Sequence, residues 1–113
     1  MTRLQIYNAI KTVCTTYWVG QHQGECVSTY AVIKYKNQAN SINNKAAGWQ
    51  YIDVMVYVPN TSVSLLDSTL ASIKAALVSI GLEPTGNMTP DYLDTDKKAY
   101  MRSEEYRSPK QIE

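Results

Sequence analysis

Between residues 49 and 59 apolar and polar positions alternate along the longest patterned stretch of the chain. In an extended segment successive side chains point to opposite sides, so Ile52, Val54, Val56 and Val58 share one face. Tyr51, Asp53, Met55 and Tyr57 share the other. The first face is purely aliphatic and β-branched, the composition of a packed sheet surface. Burying its four side chains contributes roughly 6–12 kcal/mol before chain entropy is set against it. At about 3.3 Å per residue the ten residues before Pro59 reach roughly 33 Å, and the proline then removes a donor and stops pairing. The pattern predicts a central strand, or one arm of a long hairpin, whose aliphatic face the other elements must cover.

Two stretches carry helical periodicity. Ile6, Ile10, Val13 and Tyr17 recur at spacings of four, three and four, widened by Tyr7 and Cys14. They predict a helix over 3–18, with Thr2 as N-cap and Gly20 as stop. Leu66, Leu70, Ile73, Leu77 and Ile80 form a second seam, predicting a helix over 64–80. Thr61, Ser62 or Ser64 can cap it, Ser64 pairing with Asp67 in a capping-box spacing, and Gly81 supplies the C-terminal stop. The second seam is too short for a coiled coil and is expected to pack on the aliphatic sheet face.

Two further strands are expected. Residues 26–36 place Ala31, Ile33 and Tyr35 on one side and Tyr30, Val32, Lys34 and Lys36 on the other, a wet face or a protected edge. Residues 97–107 place Tyr100, Arg102, Glu104 and Tyr106 on one side and Ala99 and Met101 on the other, with the mixed charge of an edge strand. Between the first two strands lies a polar, asparagine-rich loop, 37–48, which contains Asn40, Asn43 and Asn44. Its length exceeds a tight turn, and it is expected to project from the sheet, to be mobile in the free protein and to order against a neighbour. Residues 82–96 read as a proline-containing link.

The chain of 113 residues is expected to be one domain, 1–113, with 108–113 a loose extension. The fold class predicted is α+β: a mostly antiparallel sheet with two main helices on one face. A net charge of +1 lacks the basic footprint of a nucleic-acid binder. No apolar run approaches the ~20 residues that span a bilayer, and no signal-peptide h-region opens the chain. The expectation is a soluble protein made in the cytosol, with Cys14 and Cys26 as buried free thiols.

Catalytic chemistry is thin. His22 has no partner at ligand or triad spacing, and no phosphate loop, nucleophile elbow or HExxH motif occurs. The spaced aspartates Asp91, Asp94 and Asp96 tempt a calcium reading, with Asp91 as the first position of a loop. Its sixth and twelfth positions hold Asp96 and Arg102, where an EF-hand needs glycine and glutamate. No enzyme activity, cofactor or metal is expected. Composition points instead to association: nine tyrosines, two tryptophans and no phenylalanine suit protein interfaces. The candidate interface residues are Tyr51, Asp53 and Tyr57 on the long strand, the face Tyr100, Arg102, Glu104 and Tyr106, and the loop asparagines Asn40, Asn43 and Asn44.

The order of elements, with Tyr30-Ala31-Val32-Ile33-Lys34-Tyr35, Gly48-Trp49-Gln50-Tyr51-Ile52-Asp53-Val54, Tyr57-Val58-Pro59 and 100–107 (YMRSEEYR), resembles the small tail-terminator and tail-completion proteins of long-tailed bacteriophages. The resemblance covers most of the chain and transfers no functional residue position by position. It implies a virion protein, made in the host cytoplasm, that forms a ring of six copies at the head-proximal end of the tail tube. There it would stop tube growth and offer a head-docking surface. Its implied partners are copies of itself, the tail tube protein and the head–tail connector proteins. DNA would meet it only by passing through the ring, and no membrane is involved. A head-completion or adaptor protein is the alternative within phage assembly, and a stand-alone protein-binding module the alternative outside it.

Overall fold

The structure, a computed structural model, describes residues 2–18, 26–36, 39–41 and 44–108, with side chains for all of these except 39–41 and 44–49. Its elements run α1 (Arg3–Lys11), β1 (Thr15–Trp18), β2 (Tyr30–Tyr35), β3 (Ala39–Ser41), β4 (Asn44–Pro59), α2 (Leu65–Ser79), β5 (Glu83–Met88), β6 (Tyr92–Asp94) and β7 (Ala99–Ser108). The sheet order is β1-β2-β4-β7-β5, with β3 beside the first part of β4 and β6 beside the first part of β7. Every pairing is antiparallel except β1 with β2, so the fold is α+β with a mostly antiparallel sheet.

The long strand is the centre of this sheet. Ile52, Val54, Val56 and Val58 are fully buried, while Tyr51, Asp53, Met55 and Tyr57 are half-buried on the reverse side. Both helices cover the aliphatic face. Ile6 and Ile10 of α1 and Leu66, Leu70, Ile73 and Leu77 of α2 join the valines, Ala31 and Ile33 in one continuous core. The strand also extends further back than its alternation indicates. Residues 44–49 lie beyond the pairing of β4 with β2 and β7, and among the described residues β3 is their strand partner. Ala39, Asn40 and Ser41, and Asn44 through Gly48, are thus strands of a hairpin arm rather than the predicted loop. The arm's register shifts between Asn40 and Ser41. Asn43 lies outside the described residues.

The first helix is shorter than its periodicity suggests. Thr2 caps it as expected, its hydroxyl accepting from the Gln5 amide while the Gln5 side chain accepts from the Thr2 amide. The helix ends at Lys11 because the next seven residues, Thr12-Val13-Cys14-Thr15-Thr16-Tyr17-Trp18, are rich in β-branched and aromatic side chains that favour strands. Val13 still packs on the core, but Tyr17 lies opposite Val32 on the reverse side of the sheet. At α2 the predicted capping pair does not form. Ser64 makes no side-chain cap, and Asp67 accepts from Arg102 instead. The far end behaves as read. Gly81 has φ +105°, its amide donates to Val78 and that of Leu82 donates to Leu77, a Schellman closure that buries Leu82.

The last strand corrects two readings. It runs to Ser108, which is buried, so the predicted loose tail begins too early. It also lies inside the sheet between β4 and β5, not at an edge. The segment 82–96, read as a proline-containing link, supplies the edge itself as β5 and β6.

Candidate interaction surface

The face of the sheet opposite the helices carries no helix or strand among the described residues. Its residues follow from the register. Tyr51 lies opposite Arg107, Asp53 opposite Lys34 and Glu105, Met55 opposite Val32 and Ser103, and Tyr57 opposite Tyr30 and Met101. The first three expected interface residues, Tyr51, Asp53 and Tyr57, therefore share one half-buried surface.

One end of this surface is aromatic. Tyr57 stacks on Tyr30 with centroids 4.9 Å apart, and Tyr17 meets Tyr30 edge-on at 5.5 Å. Cys26 and Ala99 complete the cluster and help to bury Tyr30. Burial pushes the Tyr57 phenol up, and the neighbouring Asp94 and Tyr92 add to the effect. The predicted wet face of β2 is thus dry at Tyr30 and exposed at Lys34.

The middle is ionic. Lys36 Nζ lies 3.1 Å from Asp53 and also donates to Glu105. The other oxygen of Glu105 accepts from Thr85 Oγ1 at 2.8 Å and Asn87 Nδ2 at 2.9 Å. These bonds tie β5 and the end of β2 to β7, around a cleft of about 220 Å³. The hydrogen bond to Glu105, then that to Asp53, raises the Lys36 ammonium above the usual lysine range. Lys36 in turn holds the Glu105 carboxyl below its usual range, helped by Thr85 and Asn87. A depressed carboxyl stabilises the fold above its unfolded value, about 4.3, and loses that contribution as pH falls through the folded value. The raised lysine contributes below about 10.4 and loses its contribution as pH rises through its folded value. In thermal melts, Glu105→Gln is therefore expected to lose less stability than the parent between about pH 5 and pH 3. Parallel acid limbs for the two proteins would contradict this role.

The other predicted face is not on this surface. Tyr100, Arg102, Glu104 and Tyr106 lie directly opposite Val58, Val56, Val54 and Ile52, and so face the helices. Tyr106 is fully buried and Glu104 is 3 % exposed, so neither is available to a partner. Glu104 pairs with Lys74 of α2 at 3.4 Å, and Tyr100 packs against the core. Arg102 links Asp91 (Nε to Oδ1, 2.6 Å) and Asp67 (Nη1 to Oδ1, 2.7 Å), joining the β5–β6 edge to the start of α2. Both phases of 97–107 mix charge with apolar groups, so alternation alone does not orient this strand. Its register against β4 does.

The remaining candidates are backbone placements: Asn40 is in β3 and Asn44 in β4, both in the arm. Asp94, one of the three spaced aspartates, accepts from the amides of Asp96 and Lys97 and shapes a turn. Among the described residues no group of three or more His, Cys, Asp or Glu side chains is arranged to hold a metal ion. No helix there is long and apolar enough to cross a membrane. The sequence matches no protein-family model and no curated protein.

Proposed function

We propose that the protein is a structural subunit of a phage tail, acting by association at the head-proximal end of the tail tube, where it ends tube growth and presents a surface for the head. The observation that carries this reading is the division of the sheet. One face is fully engaged by the two helices, while the other holds half-buried tyrosines and an ion cluster, and an arm built from β3 and the start of β4 runs on past the packed body. An isolated two-stranded ribbon is at best marginal in water, and docking on another surface relieves that. Tyrosine-rich, partly polar surfaces are the kind that bind other proteins. A ring needs two different surfaces per copy, because head-to-tail contacts are heterologous and close by rotation. The resemblance of the strand segments to tail-terminator proteins points to the same role, and the expected assembly is six copies. Its partners would be the tail tube protein and the head–tail connector proteins, with DNA passing through the lumen.

Particles assembled without this protein are expected to give filled heads beside headless tail tubes that overrun the normal length, as seen by electron microscopy. Joined tails of normal length in its absence would overturn the assignment.

A further inference from the structure

Charge is distributed unevenly across the two flanks of the sheet. On the β1 side, residues 2–18 and 26–36 contain no Asp or Glu at all. Arg3, Lys11 and Lys34 are exposed there, and none of them pairs with a carboxylate among the described residues. Arg3 lies over the ring of Tyr35, 4.3 Å from its centroid, and Trp18 packs against the same ring at 5.5 Å. Together with Ile33 and Lys34 they line a groove of about 390 Å³ with an aromatic floor, Arg3 lying on the helix side and Lys34, opposite Asp53 in the register, reaching it from the reverse side of β2. Leu4, 64 % exposed, follows Arg3 in α1.

The opposite flank has the complementary character. Residues 60–69 and 83–98, which flank the start of α2 and form the β5–β6 edge, hold five carboxylates against two lysines. At their junction Asp67 and Asp91 share the single guanidinium of Arg102, which leaves one negative charge unmatched at that corner. Asp67 is 79 % exposed. The exposed aliphatic side chains Leu65 and Leu93 belong to the same two segments. Since β1 and β5 are the two ends of the sheet order, the cationic groove and the acidic corner lie on opposite sides of the molecule.

Building on the association proposed above, we infer that copies of this chain join head to tail, the Asp67–Asp91 corner of one copy seating on the Arg3–Lys34 groove of the next. The occupant is a second copy because the two surfaces are opposite in sign, both carry exposed aliphatic groups, and both belong to one chain at opposite ends of its sheet. Such a contact is heterologous by construction, since neither surface complements itself. Opposed charge patches steer and orient the approach, and like charges facing one another are strongly disfavoured. Exposed pairs of this kind are screened once the Debye length shrinks to a few ångströms.

The test is sedimentation of the full chain over a wide concentration range. The parent is expected to self-associate, and to do so less as salt rises from about 50 mM to about 500 mM. Lys34→Glu and Asp67→Lys, each checked for folding by circular dichroism, are each expected to weaken association about tenfold or more. Mixing the two variants is expected to recover it, because each retains the surface the other has lost and the two reversed charges now match. A salt-independent parent, variants that associate like the parent, or a mixture that recovers nothing would overturn this pairing of surfaces while leaving association intact. A parent that stays monomeric throughout would remove the association reading itself.

Discussion

Val54→Asp is expected to abolish folding or to lower stability by several kcal/mol. Val54 is fully buried at the centre of the longest strand, between Ile33 on β2 and Glu104 on β7. An aspartate there meets no described donor among the aliphatic side chains of the core. Its cross-strand neighbour on one side is already a buried carboxylate, that of Glu104, which pairs with Lys74. The substitution therefore combines desolvation with like-charge repulsion, and either effect is large against the roughly 5–15 kcal/mol that holds a domain together. Denaturant titration by circular dichroism measures the loss. A variant that melts like the parent would show that this face is not the core.

Tyr106 is expected to divide sharply between two substitutions. It is fully buried against Ile52, and its hydroxyl has no hydrogen-bond partner among the described residues. Burial, and secondarily the nearby Glu104 charge, pushes its phenol well above the usual range, so it stays neutral. Tyr106→Ala removes a large ring from a packed site and is expected to cost about 3–5 kcal/mol. Tyr106→Phe keeps the ring and removes an unpaired hydroxyl, so stability should change by less than about 1 kcal/mol or rise. A Phe variant as damaged as the Ala variant would mean that the hydroxyl has a partner which the packing does not reveal.

Tyr106 also marks where the sequence stops being informative. The long strand is legible because its two faces differ in kind: valines and isoleucine on one side, tyrosine, aspartate and methionine on the other. The second helix is legible because five aliphatic residues keep one seam and Gly81 ends it. In β7 both alternating sets mix charge with apolar groups, and the direction of its side chains follows from pairing with β4, a long-range contact. The first helix fails for a related reason. Val13 and Tyr17 sit at helical spacing from Ile10, and both are partly buried, but in a turn and a strand. The β-branched run from Thr12 to Thr16 is the local signal that separates these alternatives. Asparagines at 40 and 44 suggest a loop, yet the backbone there pairs as an arm, a case of tertiary context overriding weak propensity. The ion cluster joins Asp53 of β4, Glu105 of β7 and Lys36 just past the end of β2, and no spacing along the chain announces it.

On the function proposed above, this surface acts by association at one end of a tail tube. Purified protein is added to assembled tail tubes of a long-tailed phage and imaged by electron microscopy. The expected result is a ring of density at one end of each tube and none along its length, with further tube growth blocked at the ringed end. Tubes that keep growing with bare ends, or protein distributed along the tube wall, would contradict it.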